Sequence, residues 1–136
     1  MSTLPLLSDE ELSPEAKVVF DDIRTTRGSD FVNNFWRALA HDPVHLKRTW
    51  DRVKTLMGPG TALDPLTKEL IYIAVSTANS CRYCVHSHTA SARAKGMTDD
   101  QYAELVAIIG LAAETNHLVN AMQVPVDPQF DCTSEK

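Results

Sequence analysis

Apolar positions along the chain recur at helical spacing, and helix-stopping residues interrupt them at short intervals. Ser13-Pro14 supplies an N-cap followed by proline at the first helical position, and the helix it starts should stop at Gly28. A short second helix is expected from about Phe31 to about Ala40. Asp42-Pro43 repeats the cap-then-proline signal, and that helix should end at Gly58-Pro59-Gly60. Asp64-Pro65 opens another, carrying Leu66, Leu70, Ile71, Ile73, Ala74 and Val75. These go nearly all round the helix, which predicts a buried central element. Asn79-Ser80 breaks it. Ser80 is the expected N-cap of the next helix, from about Cys81 to Lys95, with Gly96 closing it. Thr98-Asp99-Asp100-Gln101 fits a capping box before a last long helix, which Gly110 is expected to kink. After Val124-Pro125 the tail reads as loose.

No stretch alternates β-branched residues between hairpin turns, and there is no clear repeat. The fold class is therefore all-α. The expected organisation is a single helical domain of about six helices at residues 13–124, with an N-terminal extension at 1–12 and a tail at 125–136.

Composition narrows the functions. The 136 residues are 43% hydrophobic and 23% charged, ordinary for a globular protein. A net charge of −5 and scattered basic residues argue against a nucleic-acid partner. Apolar stretches such as Leu70 to Val75 are too short to span a bilayer, and Met1 to Pro5 does not resemble a secretory signal. The expected location is the cytoplasm, with no membrane partner. In that reducing compartment a Cys-x-x-Cys is catalytic or metal-binding rather than a structural disulfide.

The Cys-x-x-Cys lies in Cys81-Arg82-Tyr83-Cys84-Val85-His86-Ser87-His88. On a helical wheel Cys84 falls about 60° from Cys81, with His88 between them. His86 and Tyr83 point away. Both cysteines occupy the first turn, where unpaired backbone N–H groups favour a thiolate. His88, one turn beyond Cys84, can take its proton. On the preceding helix Glu69 lies among Leu66 and Ile73, an expensive place for a carboxylate unless it has a task such as proton transfer. The rival reading is a non-enzymatic structural module in which Cys81, Cys84, His88 and Glu69 bind zinc. His41, His45 and His117 read as structural, Trp36 and Trp50 as core or interface anchors, and Cys132 as an incidental thiol that could resolve a mixed disulfide.

Glu69, the twelve-residue step to Cys81, and the four-residue step from Cys84 to His88 resemble the alkyl hydroperoxidase D (AhpD)-like branch of the carboxymuconolactone decarboxylase superfamily. In weaker form the resemblance runs from about Phe35 to about Met122. It implies an all-helical subunit assembled as a homo-oligomer, a trimer or hexamer. It also implies thiol-dependent peroxidase activity without cofactor or metal. Cys84 matches the cysteine that attacks the hydroperoxide, Cys81 the proton donor and resolving partner, and Glu69 with His88 the proton relay. An external dithiol, a lipoyl group or a thioredoxin-like protein, is the implied reductant. In AhpD proper a histidine directly precedes the second cysteine; here that residue is Tyr83, which does not titrate near neutrality. A protein-disulfide reductase or redox sensor using the same pair is the alternative enzyme reading.

Overall fold

The structure, a computed structural model, describes residues 2–130. Those residues form six α-helices, one short 3₁₀ turn and no strand. The described residues form two compact units that meet in sequence between Asp64 and Pro65.

The first unit holds α1 (Pro14–Arg27), α2 (Asn34–Leu39) and α3 (Pro43–Met57). The cap-then-proline signals work as the sequence suggests. Ser13 Oγ accepts the backbone N–H of Ala16, and the Asp42 carboxylate accepts that of His45. Gly28 ends α1 at φ 61°, a left-handed position that glycine adopts without steric cost. Phe20, Ile23, Val32, Leu46 and both tryptophans are buried together here. Trp36 and Trp50 meet edge to face with centroids 5.5 Å apart, and Trp50 donates its indole N–H to Asp22 at 2.6 Å. His41 bonds the carbonyl of Pro5 at 2.8 Å, which ties the N-terminal segment to this unit.

The second unit holds α4 (Pro65–Ala78), α5 (Arg82–Ala94) and α6 (Asp99–Met122). α4 and α5 form a helical hairpin. Its turn follows from the end of α4. Ser80 takes a left-handed conformation at φ 56°. Its N–H bonds the Thr77 carbonyl at 3.0 Å, and the Cys81 N–H bonds the Ser76 carbonyl at 2.9 Å. This is a Schellman closure with serine where glycine is usual. Ser80 therefore ends α4 rather than capping α5, as its sequence position had suggested. Cys81 takes the N-cap of α5 instead, making no side-chain capping bond of the usual serine kind.

α4 is not the buried central helix its composition suggests. Its buried residues are Lys68, Glu69, Ile73 and Ser76, while Ile71, Tyr72 and Val75 are exposed. The face turned towards α5 carries the polar chemistry, and part of the apolar surface lies outside the unit. α6 starts with the expected capping box, in which Thr98 Oγ1 accepts from Gln101 N and Gln101 Oε1 accepts from Thr98 N. It then runs unbroken through Gly110 for 24 residues. By length and composition alone it would cross a membrane, with a mean hydropathy of 1.3 over its best window. The chain's longest apolar element is thus α6, not the Leu70–Val75 run. None of its residues is buried, and Val106, Ile108, Leu111 and Met122 are among the exposed ones.

Candidate active site

The α4–α5 hairpin brings together all four residues singled out in the sequence. Glu69 lies one helical turn before Ile73 and two before Ser76, on the α4 face covered by α5. It is only 4% exposed. From α5 come His88 and Ser91, and from its C-cap Lys95, spaced three and four residues apart so that they share one face.

The Glu69 carboxylate is fully engaged. One oxygen, Oε2, lies 2.6 Å from His88 Nδ1. The other, Oε1, accepts from Ser91 Oγ at 2.8 Å and from Lys95 Nζ at 2.8 Å. Lys95 also donates to Ser91 Oγ at 2.7 Å, closing a small ring. Burial pushes the Glu69 carboxyl upwards. The hydrogen bonds from His88, Lys95 and Ser91, with the lysine charge, outweigh it and hold the group down at about 2. Glu69 is therefore an anion throughout the physiological range. An anionic carboxylate only accepts, so the hydrogen it shares with His88 belongs to Nδ1. Tyr72 stacks on the imidazole, with centroids 3.7 Å apart and planes 19° from parallel.

The two cysteines are free thiols at the start of α5. The Cys84 thiol donates to the Cys81 sulfur, and this bond, with the backbone N–H groups of Cys84 and Tyr83, draws the Cys81 thiol below its ordinary value of 9.0. Burial and the neighbouring Cys81 push the Cys84 thiol up to about 11, against a hydrogen bond from Ser76 that lowers it. The start of α5 thus draws the N-cap sulfur towards the thiolate and leaves Cys84 the weaker acid of the two.

The arrangement differs from the sequence expectation at two further points. His88 makes its hydrogen bond to Glu69, and neither sulfur is among its hydrogen-bond partners. Among the described residues no group of three or more His, Cys, Asp or Glu side chains is arranged to hold a metal ion, and both Glu69 oxygens are already occupied. His86 is exposed, as its position on the wheel suggests, and Tyr83 between the cysteines is 43% exposed. Cys132 lies outside the described residues. Sequence reasoning missed Tyr72, Ser76, Ser91 and Lys95. The signal for each was present: Tyr72 and Ser76 follow Glu69 at i+3 and i+7, and Ser91 and Lys95 follow His88 at i+3 and i+7.

Comparison with known proteins shows the family and the fold. Residues 45–127 match the model of the carboxymuconolactone decarboxylase family. A crystal structure of the alkylhydroperoxidase AhpD core from Rhodospirillum rubrum is 70% identical, covers 96% of this chain and 97% of its own, and superposes with a TM-score of 0.93. An uncharacterized protein 4 in the cox locus of Paracoccus denitrificans is 40% identical over 45 residues, which is 33% of this chain. That stretch spans 40% of the curated relative's length.

Proposed function

This chain belongs to the carboxymuconolactone decarboxylase family as an AhpD-like member, and from that premise we propose that it is a thiol-dependent peroxidase that reduces hydroperoxides with Cys81 and Cys84. The observation that carries the reading is the hydrogen-bonded cysteine pair at the start of α5, one turn from a carboxylate–imidazole pair.

The chemistry follows from the bond between the two sulfurs. Once ionised, Cys81 takes the proton of Cys84 through the bond they already share. Cys84 thiolate then attacks the distal oxygen of the hydroperoxide. An S–O bond forms, the O–O bond breaks, and Cys84 becomes a sulfenic acid. Cys81 returns its proton to the departing alkoxide, which leaves as the alcohol. Now a thiolate, Cys81 attacks the sulfenic sulfur and displaces hydroxide, which gains a proton to become water. The peroxide has gained two electrons and the pair has become a disulfide. An external dithiol, a lipoyl group or a thioredoxin-like protein, restores both thiols by exchange. His88 presents Nε2 as the atom that takes up and releases protons, because Nδ1 is committed to Glu69.

A homo-oligomer, trimer or hexamer, is part of the proposal. It is supported by the exposed apolar surface of α6, whose charged Glu104 and Glu114 suit a protein partner better than a bilayer interior. A cytoplasmic location fits the reduced thiols.

Peroxide consumption with a dithiol reductant tests the reading. The parent should turn over, and Cys84→Ser should lose at least a hundredfold in rate. Equal consumption by parent and variant would overturn it. One observation favours the second reading, a protein-disulfide reductase: the thiol drawn below its ordinary value is the one at the helix end, suited to attack on an external disulfide. Faster turnover with disulfides than with small hydroperoxides would select it.

A further inference from the structure

Glu69 is often the sort of residue assigned as a proton carrier, yet here both its oxygens are already engaged by donors. Its Oε1 takes two donors, Ser91 and Lys95, and its Oε2 takes the third, His88. The ring closed by Lys95 and Ser91 fixes all three groups relative to one another. Ser91 and the C-cap Lys95 are spaced for this, one and two turns beyond His88 on the same face. Their effect is electrostatic as well as geometric. A buried carboxylate facing a lone imidazole would share its proton with that imidazole or draw it into a full ion pair. A lysine on the opposite oxygen balances the carboxylate charge independently of His88. The imidazole then receives a fixed acceptor at Nδ1 and keeps Nε2 available.

We infer that Ser91 and Lys95 are positioning residues of the thiol site: they occupy one oxygen of Glu69, so that its other oxygen holds His88 in the Nδ1–H form with Nε2 as the working base. Glu69 is an anchor in this arrangement and not a station on a proton path. The groups bonded to Glu69 are His88 and Ser91 from α5 and Lys95 from its C-cap; no α6 side chain hydrogen-bonds it. The inference deepens the peroxidase reading, and only its kinetic part rests on that reading.

The test compares the parent with Lys95→Met, Ser91→Ala, the double variant and the conservative Lys95→Arg. Carbon-13 NMR follows the Glu69 carboxyl through an acid titration. Long-range proton–nitrogen correlation reads the His88 tautomer, assigned with His88→Gln. In the parent Glu69 should remain ionised down to about 2, and His88 should show a single Nδ1–H tautomer. In the double variant the Glu69 midpoint should rise by at least one pH unit, and the His88 signals should move to a tautomer mixture. The kcat for peroxide should fall about tenfold with KM little changed. Lys95→Arg should retain the parent pattern. Unchanged Glu69 midpoint and His88 tautomer in the double variant would overturn the inference. Should the double variant lose its helical circular dichroism, Ser91→Ala alone carries the same NMR criteria, with a smaller shift expected. A parent that consumes no peroxide would sink the peroxidase reading while the NMR results still decide this one.

Discussion

At the scale of single residues, Glu69 shows best how chemistry is written into burial. A carboxylate at 4% exposure is affordable only because three donors reach it. The consequence for acid stability has a definite sign. Its folded value, about 2, lies below its ordinary 4.5, so the ionised form stabilises the fold above about 4.5 and the contribution is lost as pH falls towards about 2. Glu69→Gln should lower stability at neutral pH and flatten the unfolding profile across that acid window, as read by urea midpoints at successive pH values. It should also lower peroxide turnover ten- to a hundredfold, because the amide neither balances Lys95 nor accepts as strongly from His88. The four residues chosen from the sequence all lie on the same hairpin, because a Cys-x-x-Cys, a histidine at helical spacing and a misplaced carboxylate are each visible in one dimension. Ser91 and Lys95 were not singled out because serine and lysine on an outer helix turn look like ordinary solvated residues. Only the partner across the hairpin gives them a role. The opposite shifts of the two cysteines were also hidden. The wheel puts both sulfurs on one face and does not say which one the surroundings desolvate more.

At the scale of elements, the turn between α4 and α5 sets the site. The left-handed Ser80 lets the two Schellman bonds form, and these deliver Cys81 to the N-cap of α5. Ser80→Gly should relieve the strain of a side chain at φ 56° and stabilise the protein by about 1 kcal/mol in urea unfolding. Ser80→Val should cost at least as much and slow disulfide formation by misplacing Cys81. Helix starts were legible where proline or a capping box marks them, at Pro14, Pro43, Pro65 and Thr98. The end of α4 was misread because serine is both a common N-cap and an uncommon left-handed residue, and local sequence does not separate the two. The burial of α4 was misread for another reason. Apolar residues all round a helix say that every side wants cover, not that this subunit supplies it. In the first unit, Trp50 packs against Trp36 and bonds Asp22, so Trp50→Ala should cost about 3–5 kcal/mol by denaturant unfolding.

At the scale of the whole molecule, the exposed apolar surface of α6 is the largest feature that a lone subunit leaves unexplained. Light scattering should give a mass of at least three times the 15.1 kDa subunit, and a value near one subunit would contradict the assembly proposed here. The all-helical class was legible from the chain, since six periodic segments with short connections leave no room for a sheet. The boundary between the two compact units carries no mark of its own, because proline after an acidic cap reads equally well as a helix start inside one domain. The central claim, that Cys81 and Cys84 act as one redox pair, is tested most directly by mass spectrometry of the intact protein before and after one equivalent of hydroperoxide. The account predicts the loss of two hydrogen atoms, with a peptide map joining Cys81 to Cys84. An unchanged mass, or oxygen added at Cys84 with no bond to Cys81, would contradict it.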